Sequence, residues 1–169
     1  QCLTGTDRVA EVAKKIKANI YINVQGDEPV INPRDILKVL KEKQSNPNKV
    51  ICGYTEILKS ENPLNSNLVK VVFNKEKKLI YCSRSIMPGT KIKKNDTKYY
   101  KQVCIYAFNH SELKNFSSKK KSLIESIEDI EILRFFDYGI DVKLVKTSKG
   151  SIAVDTKNDL RKVRKFFDK

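Results

Sequence analysis

With 169 residues, 40% of them hydrophobic, the chain has enough apolar material for one domain with its own core, which excludes a disordered tail. No apolar run is long enough to span a bilayer, and the first residues, QCLTGTDR, lack the basic start and apolar stretch of a secretory signal, so a soluble, cytoplasmic protein with no membrane partner is expected. The formal charge of +14 raises nucleic-acid binding, but only six of the 34 basic residues are arginine and the lysines are scattered, apart from Lys119 to Lys121. The expectation is a solvated lysine-rich surface that concentrates small anions, with no nucleic-acid partner.

In chain order, Thr6 or Asp7 is expected to cap a first helix bearing Val9, Val12, Ala13 and Ile16 at helical spacing. A strand over Ile20 to Val24 then ends abruptly in Gln25, Gly26, Asp27, Glu28 and Pro29, delivering an amide and two carboxylates to its C-terminal end. Pro33 opens a second helix through Ile36, Leu37, Val39 and Leu40 as far as the breakers QSNPN, and a strand follows at Val50 to Thr55. This alternation predicts a mostly parallel α/β sheet, whose ligands bind at the carboxyl ends of its strands.

The middle of the chain has a different rhythm. LVKVVF, KLIYCS and KQVCIYAF predict strands joined by charged or glycine-containing turns, an antiparallel insertion over about 68–120 that serves as a subdomain or dimer arm. Ser122 to Tyr138 is expected to be one helix with Leu123, Ile127, Ile130, Leu133 and Phe136 on a stripe and Gly139 at its C-cap. IDVKLV predicts a strand, and SIAVDTKNDLRKVRKFF a further strand ending at Val154 and Asp155, before a helix capped by Asp155 or Thr156. Cys2, Cys52, Cys82 and Cys104 are far apart and form no CxxC pair, which predicts free thiols in a reducing compartment.

For chemistry, the single histidine, His110, has no GxSxG beside it, and the chain contains no P-loop, GxGxxG or HExxH. What stands out is an acid after each of two distant strands, Asp27 and Asp155. Two carboxylates converging at one sheet edge make a hard oxygen site suited to Mg²⁺, which fills its octahedron with water and phosphate. Spacing leaves a second reading open, in which Asp155 is a helix cap and the DEP sequence only a turn.

The segments LTGTDRVAEVA, YINVQGDEPVI, LVKVV, YCSRSIMP, IYAF, IEILRFFDYG and VDTKNDLRKVR, in that order, resemble the 3-deoxy-manno-octulosonate (Kdo) cytidylyltransferases, or CMP-Kdo synthetases, over essentially the whole chain. The resemblance implies a Rossmann-like, GT-A-like nucleotidyltransferase sheet with helices on both faces and a dimerising antiparallel insertion. It implies a cytoplasmic homodimer that joins CMP from CTP to Kdo for lipopolysaccharide synthesis, releasing pyrophosphate. It further implies that Asp27 and Asp155 hold Mg²⁺, that Gln25, Arg84, Gln102, Tyr106 and Glu131 line the sugar site, and that Asp7 and Arg8 border the cleft. A guanidinium such as Arg84 suits the sugar carboxylate, and in-line attack of the anomeric hydroxyl on the α-phosphorus requires no protein nucleophile.

The chain departs from the family pattern at Gln102, where the family has histidine, at Cys104, where it has glycine, and at Ile132, where it has glutamine. These departures keep another 2-keto-3-deoxy sugar acid, an amino-substituted Kdo or a nonulosonate, as the alternative substrate. The family's N-terminal strand and basic CTP-phosphate loop have no counterpart in the 169 residues, so a single, N-terminally truncated and by itself inactive domain is expected, open to reading as an inactive binding fragment.

Overall fold

The computed structural model describes residues 2–91, 97–149 and 151–168. The first helix, α1 (Gly5–Lys15), is capped by Thr4, not by Thr6 or Asp7. Asp7 Oδ2 accepts from Thr4 N–H at 3.0 Å while Thr4 Oγ1 accepts from Asp7 N–H at 3.2 Å, a reciprocal capping box. Its buried face is Thr6, Ala10 and Ala13, leaving Val12 and Ile16 exposed, because small residues let the helix lie close to its neighbours. Strand β1 (Tyr21–Val24) leads through a polar turn to α2 (Pro33–Ser45), with Asn32 as N-cap and Pro33 in its first turn.

Strands β2 (Val50–Glu56), β3 (Lys70–Phe73), β4 (Leu79–Ser83), β5 (Tyr100–Phe108) and β6 (Val142–Lys146) join β1 in one six-stranded sheet. The order is β4-β3-β5-β2-β6, with β1 paired to the C-terminal half of β5, Tyr21 opposite Phe108 and Val24 opposite Ile105. Strands β1, β2 and β6 run one way, and β2 and β6 pair directly in parallel. β5 runs against them through the middle of the sheet. The antiparallel run expected over 68–120 therefore supplies the central strand of the main sheet, with β3 and β4 extending it to one edge. Only long-range pairing places β5 there.

Helices cover both faces. One core gathers Ala10, Tyr106, Phe108, Phe116, Leu133 and Phe135, and the other gathers Val39, Ile51, Val103, Ile105 and Ala107 under α2. After β5 come α3 (His110–Ser118), α4 (Leu123–Glu128) and α5 (Leu133–Asp137). The single helix expected over Ser122 to Tyr138 is broken where Asp129 turns left-handed at φ 51°, so Leu123 and Ile127 face outward while Ile130 and Leu133 enter the core. Gly139, at φ 70°, follows α5 as its left-handed terminator. Residues 152–155 form no strand, and α6 (Lys157–Phe167) is capped by Thr156 in a capping box with Asp159, so Asp155 is not the cap. Among the described residues no helix is long and apolar enough to cross a membrane, and all four cysteines are free.

Candidate active site

Past β1, the backbone turns with Glu28 N–H on the Gln25 carbonyl at 3.3 Å, and Gln25 N–H keeps one more bond to β5 at the Cys104 carbonyl, 3.2 Å. Asp27 sits exposed at the tip. The Val154 N–H donates to the Asp27 carbonyl oxygen at 2.8 Å, which brings Asp155, 128 positions later, beside Asp27. Asp155 thus reaches the site without ending a strand. Among the described residues neither carboxylate accepts a hydrogen bond from a side chain or backbone. Burial raises the Asp155 carboxyl above its ordinary value, the charges of Asp27 and Asp159 raise it further, and Arg84 opposes them. Two carboxylates are held together, and among the described residues no basic side chain forms an ion pair with either.

A cleft of about 480 Å³ opens at Asp27, lined also by Gly5, Arg8, Asn23 and Gln25 among others. Gln25 Nε2 donates to Glu131 Oε1 at 2.7 Å, and the Thr6 N–H at the start of α1 donates to Glu131 Oε2 at 2.9 Å. Burial pushes the Glu131 carboxyl up, and the Thr6 amide partly offsets it. Asn23, 9% exposed, has a buried Nδ2 with no acceptor among the described residues, a donor left for a bound group. Arg8 is exposed at the rim.

Arg84 is held by carbonyls. Its Nε donates to the Glu128 carbonyl at 2.6 Å, Nη1 to that of Ser66 at 3.1 Å and Nη2 to that of Asp129 at 3.0 Å, and among the described residues no carboxylate pairs with the guanidinium. Of its five N–H groups, two have no partner among the described residues. The Arg84 backbone N–H binds the Glu128 carboxylate at 2.9 Å, fixing the β4 end against α4.

The structure separates the remaining sequence-predicted residues from the open cleft. Gln102, half-buried on β5, donates its amide to Cys52 Sγ at 3.6 Å, and burial takes the Cys52 thiol up to about 12. Tyr106, expected as a sugar contact, is 2% exposed and stacks on Phe108 at 6.0 Å, and burial raises its hydroxyl well above the ordinary value. Ile132, expected to face the sugar, lies in the core, where an apolar side chain belongs. Sequence reasoning passed over a second concavity of about 550 Å³ beside Asp155, whose walls include Glu61, Asn65, Lys101, Ser151 and Lys162. Two lysines placed within strand sequences, Lys70 and Lys101, were its only signal. Both are buried, Lys101 with Glu61 at 2.5 Å and Lys70 on the carbonyls of Asn65 and Arg84.

The family model for cytidylyltransferases matches residues 1–146. The chain is 36% identical to a 3-deoxy-manno-octulosonate cytidylyltransferase of Koribacter versatilis over 97% of this chain and 62% of the relative. It is 35% identical to that of Escherichia coli, over 95% and 65% respectively. A solved structure of CMP:2-keto-3-deoxy-manno-octonic acid synthetase complexed with CTP superposes at a TM-score of 0.88 with 36% identity, covering 98% of this chain and 68% of the other. The chain thus spans a little under two thirds of the length of these two curated relatives.

Proposed function

The chain belongs to the cytidylyltransferase family, and on that premise we propose that it serves the Mg²⁺-dependent transfer of CMP from CTP to 3-deoxy-manno-octulosonate, with release of pyrophosphate. The observation that carries the proposal is the apposition of Asp27 and Asp155 through the Val154 amide, two unpaired carboxylates in a chain of net charge +14. The donor set fits the ion. Both ligands are hard oxygens, and among the described residues no group of three metal-binding side chains competes for it, leaving positions for water and phosphate as Mg²⁺ prefers. When bound, Mg²⁺ supplies charge neutralisation at the α-phosphate and a lowered pKa at the attacking hydroxyl.

The chain's own residues then position the sugar. The anomeric oxygen forms a bond to the α-phosphorus and loses its proton, while the bond from that phosphorus to the β-phosphate oxygen breaks and pyrophosphate leaves. Glu131, anchored by Thr6 N–H, fixes the Gln25 amide so that its Oε1 accepts a sugar hydroxyl. The two unspent Arg84 donors suit the sugar carboxylate. The product feeds lipopolysaccharide assembly in the cytoplasm. The enzyme works as a homodimer, for which Ile80, Leu123, Ile127 and Phe136 offer exposed apolar surface.

Pyrophosphate release from CTP and Kdo is the test, in this chain and in one extended to the relatives' length. The extended form turns over, and Asp27→Asn or Asp155→Asn lowers kcat/KM by about 100-fold or more without unfolding it. The 169 residues alone, which span a little under two thirds of the length of these relatives, do not, because phosphoryl transfer depends on positioning the triphosphate. Near-normal turnover by either Asn variant in Mg²⁺ would refute the metal assignment for that residue.

A further inference from the structure

Asp155 sits in a segment that has little to hold it. Residues 151–155 pair with no strand, and the helix that follows buries only Val163. A metal centre that demands near-ideal octahedral geometry cannot rest on such a segment unless something else fixes it. Glu28, adjacent to Asp27, is placed to do so. It is 6% exposed, and a buried carboxylate requires partners.

Its two partners come from different pieces of the chain. Glu28 Oε1 accepts from the Cys104 N–H of β5 at 2.6 Å, and Oε2 accepts from the Ser151 hydroxyl. The Ser151 carbonyl is held in turn by Lys101 Nζ at 3.1 Å, a lysine also projecting from β5. The backbone on either side of Glu28 is closed by its own N–H on Gln25 and by the Ile31 N–H on its carbonyl at 3.2 Å. Three residues after Ser151, the Val154 N–H reaches Asp27.

We infer that the Glu28 carboxylate is a bracket that fixes the Asp155-bearing segment against the Asp27 turn and the central strand, making Glu28 and Ser151 positioning residues for the site. Its consequence for metal rests on the reading of Asp27 and Asp155 as ligands. The bracket itself does not.

Two measurements separate them. Hydrogen exchange at the Val154 amide reports the bracket with no metal present: Glu28→Ala speeds that exchange at least tenfold, while amides in the middle of β5 keep their protection. Ser151→Ala removes one bond at a half-buried position and shows the same effect to a smaller degree. Adding it to Glu28→Ala changes nothing further, since both break one connection. Glu28→Gln, which retains an acceptor for Cys104 and offers an amide donor to the Ser151 oxygen, rescues most of the protection. Mn²⁺ binding, followed by electron paramagnetic resonance, weakens about 10- to 100-fold in Glu28→Ala, as expected for loss of a residue that orients metal ligands. Unchanged Val154 exchange in both Glu28→Ala and Ser151→Ala overturns the bracket. Unchanged Mn²⁺ binding in Asp27→Asn and Asp155→Asn, with Val154 exchange still accelerated in Glu28→Ala, overturns the metal reading and leaves the bracket standing.

Discussion

Arg134 and the Asp27–Asp155 pair show two opposite ways of placing charge in this molecule. Arg134, 1% exposed, donates through Nε and Nη2 to the two oxygens of Glu125 at 2.8 and 2.7 Å. Its Nη1 reaches Asp7 at 3.1 Å and the Phe116 carbonyl at 3.3 Å, and the guanidinium lies 3.8 Å over the Phe116 ring. One cation thereby ties α1, α3, α4 and α5 together, with two carboxylates, a carbonyl and a ring set around it. At the strand end, by contrast, two carboxylates are brought together by a backbone hydrogen bond, and the nearby Arg84 spends its donors on carbonyls. Folding stability accounts for the first arrangement and not for the second. Like charges held together at a cost to the fold are what the cation proposed above would offset.

The largest effect that would break this comparison is at Arg134. Arg134→Met leaves the buried Glu125 and the half-buried Asp7 without their cation, and the expected cost is about 3–5 kcal/mol, read as a lower urea midpoint. A loss below about 1 kcal/mol would mean that the Arg134 cluster is not what fastens these helices. Next comes Ile132→Gln, which restores the family's residue at a position that lies in the core. It buries an amide without arranged partners and is expected to cost about 1–3 kcal/mol, whereas a pocket-facing glutamine would cost almost nothing. The third, smaller effect has the opposite sign. Asp155→Asn removes repulsion from Asp27 and Asp159, so the metal-free protein is expected to melt slightly higher than the unmodified chain near neutral pH. Mg²⁺ then raises the melting temperature of the unmodified chain but not of the variant. A variant that melts lower without metal would show that the pair is not under strain.

These contrasts also separate what was legible in the sequence from what was not. Asp27 stood out because a strand that turns abruptly polar is a local signal, whereas Asp155 was singled out as the end of a strand that the fold does not form, and the motifs around both are those that resemble the family. The face of α1 was misjudged because Val12 and Ile16 are the more apolar residues, while close approach selected Thr6, Ala10 and Ala13. The break at Asp129 depends on Arg84, 45 positions earlier, collecting the carbonyls of Glu128 and Asp129. No helical periodicity carries that information. Nothing local in the sequence names the partners of Lys43, Lys70, Lys101 and Glu28, yet each is buried on specific groups that only the fold supplies, as with Lys43 and Glu112 at 2.7 Å.

Glu131 lies between the two arrangements and provides the finest test of them. Like the site aspartates it has no ion pair among the described residues, and like the Arg134 cluster it is tied in, by Thr6 N–H and the Gln25 amide. Burial raises its carboxyl above the ordinary value of 4.5, and Asp7, which pairs with Arg134, adds to the rise. A raised folded-state value means that the folded chain holds the proton more tightly than the unfolded chain does. The contribution to stability is therefore fully present below about pH 4.5, declines as pH rises toward the folded-state value, and is absent above it. Glu131→Gln has no proton to lose, and other titrating groups cancel when the two proteins are compared. Relative to the unmodified chain, the variant should gain stability steadily from near pH 4.5 to neutral, although it has given up one carboxylate oxygen to the Thr6 amide at every pH. Urea unfolding of both proteins across that range measures the difference. Parallel profiles would mean that Glu131 carries its charge as easily in the fold as in water, which would place it with the carboxylates paired to Arg134.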